Sequence, residues 1–438
     1  MIASAQLRIA RLAATPAVHR AFHWLHLHQP QLRRWHLEIL HIPAPLFGEQ
    51  ARAAWFLERF QELGLANPHL DAAGNALAEL PAALPTENPI PRTSNLEPRS
   101  SPLILLSAHL DTVFPTGTPT EPREEGTRIF APGACDNAAG LSALLGLAAA
   151  FRHAALAPAV PILFAANVGE EGEGDLRGMR HLFMQSPYAP RIAAAIALEG
   201  GGSSAVVTRA IASRRYRLTV TGPGGHSWTD AGTPNPILIL ARALLALESL
   251  DLESVDLDSP DHSALDLASP GPASTPHPAL RTILNVGQIA GGTSINSIPE
   301  SASALLDLRS TDPSQLEAVE IVLRRTLAES VASAALTIGT IGDRPGGSLP
   351  DDSPLLTTLR AVDRHLSLRT EPGIGSTDAN IPLSLGVPAI AIGAGGLGGG
   401  IHTLQEWYDP TSRNAALRRI LLTLLDSAHL AADPPELA

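Results

Sequence analysis

The sequence predicts an α/β fold in which a mostly parallel sheet carries an inserted α+β module. Continuous apolar runs at residues 103–106, 160–166 and 193–198 are typical of strands buried on both faces. An Ala/Leu-rich helical run at 138–151 separates the first two of them. From Ser213 onward the pattern changes to an alternation of polar and apolar residues, which indicates a strand with one solvated face.

The N-terminal part of the chain is predicted to be helical. Residues 20–65 have helical periodicity, and the amphipathic stretch 51–63 ends at Gly64, a residue type that commonly terminates helices. Residues 81–102 are rich in Pro, Ser, Asn and Glu and lack periodicity. We therefore expect a surface loop there, between two early strands.

The inserted module is predicted from five successive elements. They are a strand, a helix, two strands and a second helix, at residues 215–220, 236–250, 282–289, 302–308 and from Asp312-Pro313 onward. The Ser/Pro/Asp-rich stretch 251–278 predicts a mobile loop. From residue 336 the pattern returns to that of a parallel sheet. The prediction is an outer domain of residues 1–211 and 336–438 with an inserted domain of residues 212–335.

Composition excludes several classes of function. All 31 basic residues are Arg, so a Schiff-base lysine or the lysine of an ATP-binding loop cannot occur. A formal net charge of −12 argues against nucleic acid and anionic membranes as partners. The single Cys135 excludes an internal disulfide framework. No secretory leader and no membrane-spanning run is recognisable, and a cytoplasmic location is the expectation.

Polar side chains suited to metal binding stand at the ends of the core elements. His109-Leu110-Asp111 ends the first buried strand, Asp136 precedes the helix, Glu170-Glu171 and Glu199 follow the next two strands, and His402 lies far downstream. The carboxyl ends of parallel strands meet at one edge of a sheet, where α/β proteins build their sites. Imidazole and carboxylate are zinc ligands, so the pattern predicts a metal site.

Two neighbouring metal ions repel each other, and a carboxylate between them is the natural bridge. The candidate ligands provide one bridging carboxylate plus one carboxylate and one imidazole for each ion; they are His109, Asp136, Glu171, Glu199 and His402. Asp111 is predicted to hold the His109 imidazole in one tautomer. Glu170 and Glu171 point apart, so one can bind metal while the other acts as general base. A single His-x-Asp motif after a strand is most often structural. Five motifs with metal-binding residues in this order, each at a strand or helix end, are not expected by chance.

With these residues the sequence resembles the cocatalytic dizinc metallopeptidases that include aminoacylase, glutamate carboxypeptidase, succinyl-diaminopimelate desuccinylase and tripeptide aminopeptidase. The resemblance covers about residues 45–430. It implies a dizinc exopeptidase catalytic domain, with His109 and Glu199 on one zinc and Glu171 and His402 on the other. Asp136 would bridge the two ions and Glu170 would be the base. The insertion would be a lid that commonly forms homodimers.

Three residues of the insertion gain a predicted role from the same resemblance. Residues 222–227 resemble a glycine turn that presents a histidine, here His226, to the oxyanion across a dimer interface; a simple tight turn is the alternative. Asn296 and Arg309 match positions that grip a substrate carboxylate, which suits the bidentate geometry of a guanidinium. Arg309 could equally be a surface residue of a strand.

A glycine-rich run at residues 393–398 formally matches a dinucleotide-binding fingerprint after a predicted strand. Residues 399–402 do not continue it into an apolar helix, so a nucleotide-dependent oxidoreductase is not favoured. Instead, Gly395 and Gly396 are predicted to allow close approach of the substrate beside His402.

The predicted function is hydrolysis of small peptides by an exopeptidase of the di- or tripeptide type, with metal-bound hydroxide as nucleophile and Glu170 as general base. An N-acyl-amino-acid amidohydrolase or a carboxypeptidase of the same family is the alternative, which Glu199 as an acidic ligand favours. The sequence pattern of the insertion and of residues 169–180 resembles that of tripeptide aminopeptidases instead. An inactive binding protein is disfavoured by the intact Glu170. The predicted cofactors are two Zn²⁺ per chain, although Co²⁺ or Mn²⁺ suit the same ligands.

Overall fold

The computed structural model describes residues 2–83, 101–252, 281–331 and 335–433. Most of the predicted loop 81–102 and of the predicted mobile loop 251–278 lies outside the described residues. The chain forms two compact units, one of residues 1–209 and 348–438 and one of residues 210–347. Within the described ranges, no helix combines the length and hydrophobicity that crossing a bilayer requires.

Helices and strands alternate through most of the described chain. The helices are α1 Ile2–Ala13, α2 Pro16–Leu27, α3 Gln29–Leu40, α4 Gln50–Glu62, α5 Ala138–His153, α6 Arg177–Met184, α7 Pro236–Glu248, α8 Pro313–Ser330, α9 Pro354–Leu366, α10 Asn380–Ser384 and α11 Arg413–Ala432. The strands are β1 Ala66–Leu70, β2 Ala76–Leu80, β3 Leu103–His109, β4 Arg123–Glu125, β5 Arg128–Phe130, β6 Ile162–Asn167, β7 Ile192–Leu198, β8 Ala205–Ala210, β9 Ala212–Thr221, β10 Gly225–His226, β11 Thr282–Gly291, β12 Ser297–Ile298, β13 Ser301–Ser310, β14 Ala335–Arg344, β15 Gly347–Ser348, β16 Glu371–Gly375, β17 Ala389–Ile392, β18 Leu397–Gly399 and β19 Trp407–Asp409.

The first unit is built on a mixed sheet whose centre is parallel. Its strands follow in the order β1-β2-β6-β3-β7-β17-β8-β15, with β16 paired to β8. β6, β3, β7 and β17 run parallel to one another, whereas β1, β2 and β8 join antiparallel. Every residue of β3 and β6 is buried, as expected for strands covered on both faces. The predicted α/β class with a mostly parallel central sheet is confirmed.

The central parallel strands bring the candidate ligands to one edge of the sheet. β3 ends at His109, β6 is followed after a short turn by Glu170 and Glu171, and β7 is followed directly by Glu199. Because β6, β3 and β7 are adjacent and parallel, their carboxyl ends coincide.

Helix α5 adds its N-terminus to this edge. Its N-cap is Asn137, whose side chain accepts a hydrogen bond from the backbone N–H of Gly140 at 3.1 Å. With Asn137 as the cap, the Asp136 carboxylate points to the histidines described below.

The second unit is an antiparallel sheet covered on one face by two helices. Its strand order is β11-β13-β9-β14, and α7 and α8 pack against β9 and β13. β9 alternates, and its buried side chains Tyr216, Leu218 and Val220 share one apolar core with Leu240 of α7 and Leu323 of α8. A separate ribbon of β10 and β12 completes the described strands of this unit.

The predicted C-terminal boundary of the insertion needs correction. The prediction returned the chain to the outer domain at residue 336, but β14 pairs antiparallel with β9 from Ala335 opposite Thr221 to Arg344 opposite Ser213. Leu336 and Ile338 pack against the core of the second unit. A strand's alternation shows that it has one buried face; it does not identify the sheet that the strand joins.

Candidate metal centre

Three ligand groups meet around His109 at the end of β3. Its Nε2 atom lies 2.9 Å from Asp136 Oδ1 and 3.4 Å from Glu199 Oε1. The imidazole is fully buried, while the two carboxylates are partly accessible. One ligand atom from each of the three residues lies within 4.8 Å of the others, which is close enough to bind a single ion.

A second group of three shares Asp136 with the first. His402 Nε2 lies 3.2 Å from Asp136 Oδ2 and 3.1 Å from Glu171 Oε1. The two oxygens of Asp136 therefore face two different imidazoles, His109 with Oδ1 and His402 with Oδ2. This is the arrangement required of a carboxylate that bridges two ions.

The donor set fits two cations. His109 Nδ1 lies 3.0 Å from the carbonyl oxygen of Asp111, to which it donates its proton, so the lone pair of Nε2 faces carboxylate oxygens. Glu199 Oε2 is buried and has no hydrogen-bond partner among the described residues. Acceptors that converge on acceptors require positive charge between them, from a proton or a metal ion, and nitrogen with carboxylate oxygen is the ligand chemistry of zinc and related metals.

The pKa values reflect this concentration of negative charge. Hydrogen bonds to Asp136 and Glu171 raise the pKa of His402 to about 10. Burial raises the pKa of Glu199 to about 7. Burial also acts to raise the pKa of Asp136, but hydrogen bonds with His109 and His402 hold it below its usual range. Each shift indicates that the cluster binds positive charge, whether protons or metal ions.

Glu170 lies beside the cluster. One of its carboxylate oxygens lies within 4.8 Å of ligand atoms of His109 and Glu171, and its side chain is buried. The backbone N–H groups of Glu170 and Glu171 donate to Asp111 Oδ1 and Oδ2 at 3.0 and 2.7 Å. The Asp111 carboxylate thus fixes the backbone of both glutamates.

The contacts of Asp111 correct its predicted role. Its carboxylate Oδ1 lies 3.7 Å from His109 Nδ1, and the backbone carbonyl is the closer acceptor at 3.0 Å. The main chain holds the imidazole tautomer, while the carboxylate fixes the Glu170-Glu171 backbone. The spacing of His109 and Asp111 could not reveal this, because the partner peptide lies in the turn after β6, 59 residues further along the chain.

Two further residues brace the ligands, and the sequence analysis assigned neither of them a role. The Asn137 side chain donates to Leu198 O at 2.8 Å and accepts from Gly200 N–H at 3.0 Å, which fixes both neighbours of Glu199. The fully buried Glu406 carboxylate accepts hydrogen bonds from the backbone N–H groups of three residues, Gly133, Cys135 and Asp136. Burial raises the pKa of Glu406 to about 7, and the three N–H donors oppose that rise.

These braces follow one pattern. Asp111 stands two residues after His109 and holds Glu170 and Glu171, and Asn137 stands next to Asp136 and holds the segment around Glu199. In the same way Glu406, four residues after His402, holds the segment around Asp136. Three of the five segments that carry a candidate ligand therefore also carry a side chain that fixes the backbone of another.

Cys135 plays no part in acid–base chemistry at this site. Its Sγ atom accepts a hydrogen bond from Gly201 N–H at 3.1 Å. Burial raises the pKa of this thiol to about 12, so it stays protonated at neutral pH. The buried side chain is a packing residue.

His226 and Asn296 lie together at the β10–β12 ribbon of the second unit. His226 pairs with Ser297, and the N–H of Ser227 donates to Asn296 O at 3.0 Å. His226 Nδ1 accepts from the N–H groups of Trp228 and Thr229 at 3.2 and 3.4 Å. Nδ1 is therefore the unprotonated nitrogen, and the exposed imidazole carries its proton on Nε2.

Arg309 is not brought to this ribbon. It lies on β13 opposite Ser213, near the start of the unit, whereas the ribbon follows the far end of β9. Eight residues of extended strand between Ser301 and Arg309 correspond to about 27 Å. The guanidinium Nε donates to Asp307 Oδ2 at 2.7 Å. The structure therefore does not support a joint grip on one carboxylate by Asn296 and Arg309 of the same chain.

Gly395 and Gly396 are buried between protein segments. A Cβ on Gly395 would lie 2.6 Å from Ala416 Cβ, and one on Gly396 would lie 2.5 Å from Asp409 O. Both residues have positive φ, so packing and backbone conformation together account for glycine here. Their predicted contact with substrate has no support from these neighbours. The strand β18 follows them, which agrees with the rejection of a dinucleotide-binding turn.

Comparison with known proteins identifies the family. The sequence model described as peptidase family M20/M25/M40 matches residues 105–426. The chain belongs to this family. The resemblance inferred from the ligand motifs is thereby confirmed, and the hydrolase class follows from it. Helices α1 to α4 and strands β1 and β2 precede the matched region.

Individual relatives are more distant. A protein named as a probable carboxypeptidase of Aspergillus clavatus is 28% identical over 295 residues, which are 64% of this chain and 57% of that protein. A tripeptidase from Staphylococcus aureus superposes with a TM-score of 0.68 at 19% identity, covering 91% of this chain and 98% of that chain. A dinuclear metal-binding M20 peptidase from Bacillus subtilis gives 0.63 at 14%, covering 91% and 98%. At these identities the structural likenesses establish the fold.

Proposed function

We propose that this protein hydrolyses the amide bonds of small peptides at a centre of two zinc ions. The observation that carries the proposal is the Asp136 carboxylate, which presents one oxygen to His109 and the other to His402. His109 and Glu199 would hold one ion, and Glu171 and His402 the other. Bound there, the ions would polarise the scissile carbonyl and lower the pKa of a coordinated water.

Glu170 is the proton carrier of the proposed reaction. Its carboxylate lies beside ligand atoms of both His109 and Glu171, and Asp111 holds its backbone. From this position it accepts a proton from the attacking water and returns it to the departing nitrogen. In this proposal Glu171 is a metal ligand and Glu170 is the base, as the family resemblance implies.

His226 is proposed to stabilise the oxyanion. Two backbone N–H groups occupy its Nδ1, so Nε2–H is available as a hydrogen-bond donor. A donor with a backbone-defined tautomer meets the main requirement for stabilising developing negative charge. Asn296, joined to the same ribbon, is proposed to contact the substrate.

We also propose a homodimer formed through the second unit. β11 is an edge strand, and its residues from Asn285 to Gly291 are exposed on both faces. The exposed side chains of Val286 and Ile289 on this edge, and of Leu238 and Leu245 on α7, are 42 to 63% accessible. An unpaired apolar edge strand favours pairing with another chain. A cytoplasmic location stays a prediction from composition.

A carboxypeptidase or N-acyl-amino-acid amidohydrolase is the second candidate. The Aspergillus relative is named as a probable carboxypeptidase, and the acidic ligand Glu199 is a glutamate, as in that branch of the family. The tripeptidase and dipeptidase likenesses favour cleavage of unblocked peptides instead. Substrate preference distinguishes the two candidates.

The deciding experiment is hydrolysis of dipeptides, tripeptides and N-acetyl amino acids by the metal-loaded protein. Glu170→Gln should lower kcat by about 10²- to 10⁴-fold, because it removes the proton carrier. Glu173→Gln, an exposed glutamate in the same turn, is the matched control and should retain activity. Cleavage of acylated substrates alone would select the second candidate. Equal inactivity of wild type and Glu170→Gln with two metals bound would contradict the proposed hydrolase.

A further inference from the structure

Glu406 is a buried carboxylate that is bonded directly to the backbone of a candidate ligand. Its Oε1 atom accepts from Cys135 N–H at 2.8 Å and Asp136 N–H at 2.7 Å, and Oε2 accepts from Gly133 N–H at 3.0 Å. The side chain is fully buried. The donors belong to the turn that carries the central carboxylate of the metal centre.

The main chain of Glu406 strengthens the same link. Its carbonyl oxygen accepts a hydrogen bond from Ala131 N–H at 3.1 Å, and the next residue, Trp407, pairs with Phe130 in the small sheet of β5 and β19. Its own N–H donates to Thr403 O at 3.1 Å, which ties it to the residue after His402. Glu406 thus joins the segment of one ligand to the segment of another.

A carboxylate is required because both oxygens are used. Three buried N–H groups converge on one side chain, and ionised acceptors form the stronger hydrogen bonds. A carboxamide has one acceptor oxygen and one N–H₂ group, which would face a backbone N–H. Glutamine would therefore leave Gly133 or the pair Cys135 and Asp136 without an acceptor.

We propose that Glu406 is a positioning residue that fixes the Asp136 carboxylate between the two metal ions and couples it to His402. The proposal rests on the metal centre proposed above. It differs from a general stabilising role because it predicts an effect on metal affinity, and on both ions together. The reason is that Asp136 faces both imidazoles, so misplacing its backbone disturbs both ligand groups.

The test compares Glu406→Gln with Asp426→Asn. Asp426 is also a buried carboxylate of the first unit, but its partners are Arg8 of α1 and Thr358 of α9. Both variants convert a buried carboxylate to a carboxamide, so both should unfold at lower temperature than wild type. Metal content after dialysis and chelator competition with Zn²⁺ then measure stoichiometry and affinity for each protein.

Glu406→Gln is expected to weaken the binding of both ions by about 10- to 100-fold, the range found when supporting partners of metal ligands are removed. Asp426→Asn should bind zinc as wild type does. Wild-type affinity in a folded Glu406→Gln, or an equal loss of affinity in both variants, would overturn the positioning role. If Glu406→Gln does not fold, Glu406→Asp, which keeps the charge but shortens the reach, is measured in the same way with the same expected and contradicting results.

The wild-type protein separates this proposal from the one on which it rests. If wild type does not bind two ions per chain, the metal centre itself is wrong. If wild type binds two ions and Glu406→Gln binds them equally well, only the role of Glu406 fails.

Discussion

The metal cluster of the first unit and the β10–β12 ribbon of the second unit hold their functional side chains in opposite ways. In the cluster, His109, Asp111 and Glu406 are fully buried, and side chains from other segments fix the backbone around Asp136, Glu171 and Glu199. At the ribbon, His226 is exposed and Trp228 beside it is 84% exposed. The cluster is organised by its own unit, whereas the ribbon presents groups whose proposed target lies outside that unit.

The difference shows why one site can be inferred from a single chain and the other cannot. Burying several carboxylates close together costs free energy unless positive charge lies between them, so the cluster itself indicates that it binds cations. An exposed histidine with a defined tautomer shows only that it can donate a hydrogen bond. The predictions below test each half of this contrast.

The largest effect is expected for Asp136→Ala. Removal of the shared carboxylate should release both ions and reduce kcat/KM by roughly 10³-fold or more, because each imidazole loses its common partner. Metal analysis and peptide hydrolysis measure the two effects. Asp352→Ala, at an exposed position of the same unit, is the control. Retention of one tightly bound ion would show that Asp136 does not bridge.

A smaller loss is expected for His226→Ala. Without the Nε2–H donor, kcat should fall by about 10²- to 10³-fold while both metals stay bound. His365→Ala, an exposed histidine at the end of α9, serves for comparison. Loss of metal in His226→Ala, or an unchanged kcat, would contradict the proposed role of His226 in stabilising the oxyanion.

The edge strand β11 provides a test of the proposed dimer. Ile289→Asp introduces a charge at a 56% exposed position of that strand and should shift the protein from dimer to monomer in sedimentation or light scattering. Ile321→Asp, 53% exposed on α8, should leave the mass unchanged. A wild-type monomer would contradict the dimer at once. A dimer that persists in Ile289→Asp would place the interface elsewhere.

The smallest effect is expected for the pH dependence of the stability of the metal-free protein. The pKa of His402 is raised to about 10 and that of Glu199 to about 7, so protonation of each stabilises the folded state. The Glu199 contribution is complete below its unfolded pKa of about 4.5 and is lost as pH rises through 7. The His402 contribution is complete below about 6.5 and is lost as pH rises through 10.

The thermal midpoint in chelator should therefore fall as pH rises from about 4.5 to 10. His402→Gln should flatten the upper part of the profile, from about 6.5 to 10. Saturating zinc should reduce the slope in wild type, because the ions replace the protons. A midpoint that rises over the upper range would contradict the charge balance described here.

Much of the site could be predicted because its ligands are marked by local sequence. His109, Glu171 and Glu199 stand at the ends of apolar runs, and burial of those runs decides where the polar residues emerge. Arg309 and the glycines at 395 and 396 were harder. A guanidinium on a strand can bind a substrate or pair with Asp307, and the sequence around it is the same in both cases. Likewise, a glycine can make room for a ligand or for a neighbouring protein segment without any difference in the surrounding sequence.

The division of the chain illustrates the same limit. The sequence pattern predicted a return to the parallel sheet at residue 336, but the strand of residues 335–344 pairs with β9, which lies more than one hundred residues earlier. Whether that strand joins the parallel sheet or the insertion depends on long-range pairing. The same reasoning applies to the roles of Asp111 and Asn137, whose partners lie 59 and 61 residues further along the chain.

From residue order alone come the fold class, the ligand types and their assignment to strand ends, because hydrophobic periodicity and ligand chemistry are local properties. The folded chain was needed to reveal which groups hold those ligands in position. Glu406 and the N–H of Asp136 are separated by 270 residues and meet at 2.7 Å. A hydrogen bond between such distant residues leaves no periodic trace in the chain, since only packing of the intervening elements brings donor and acceptor together.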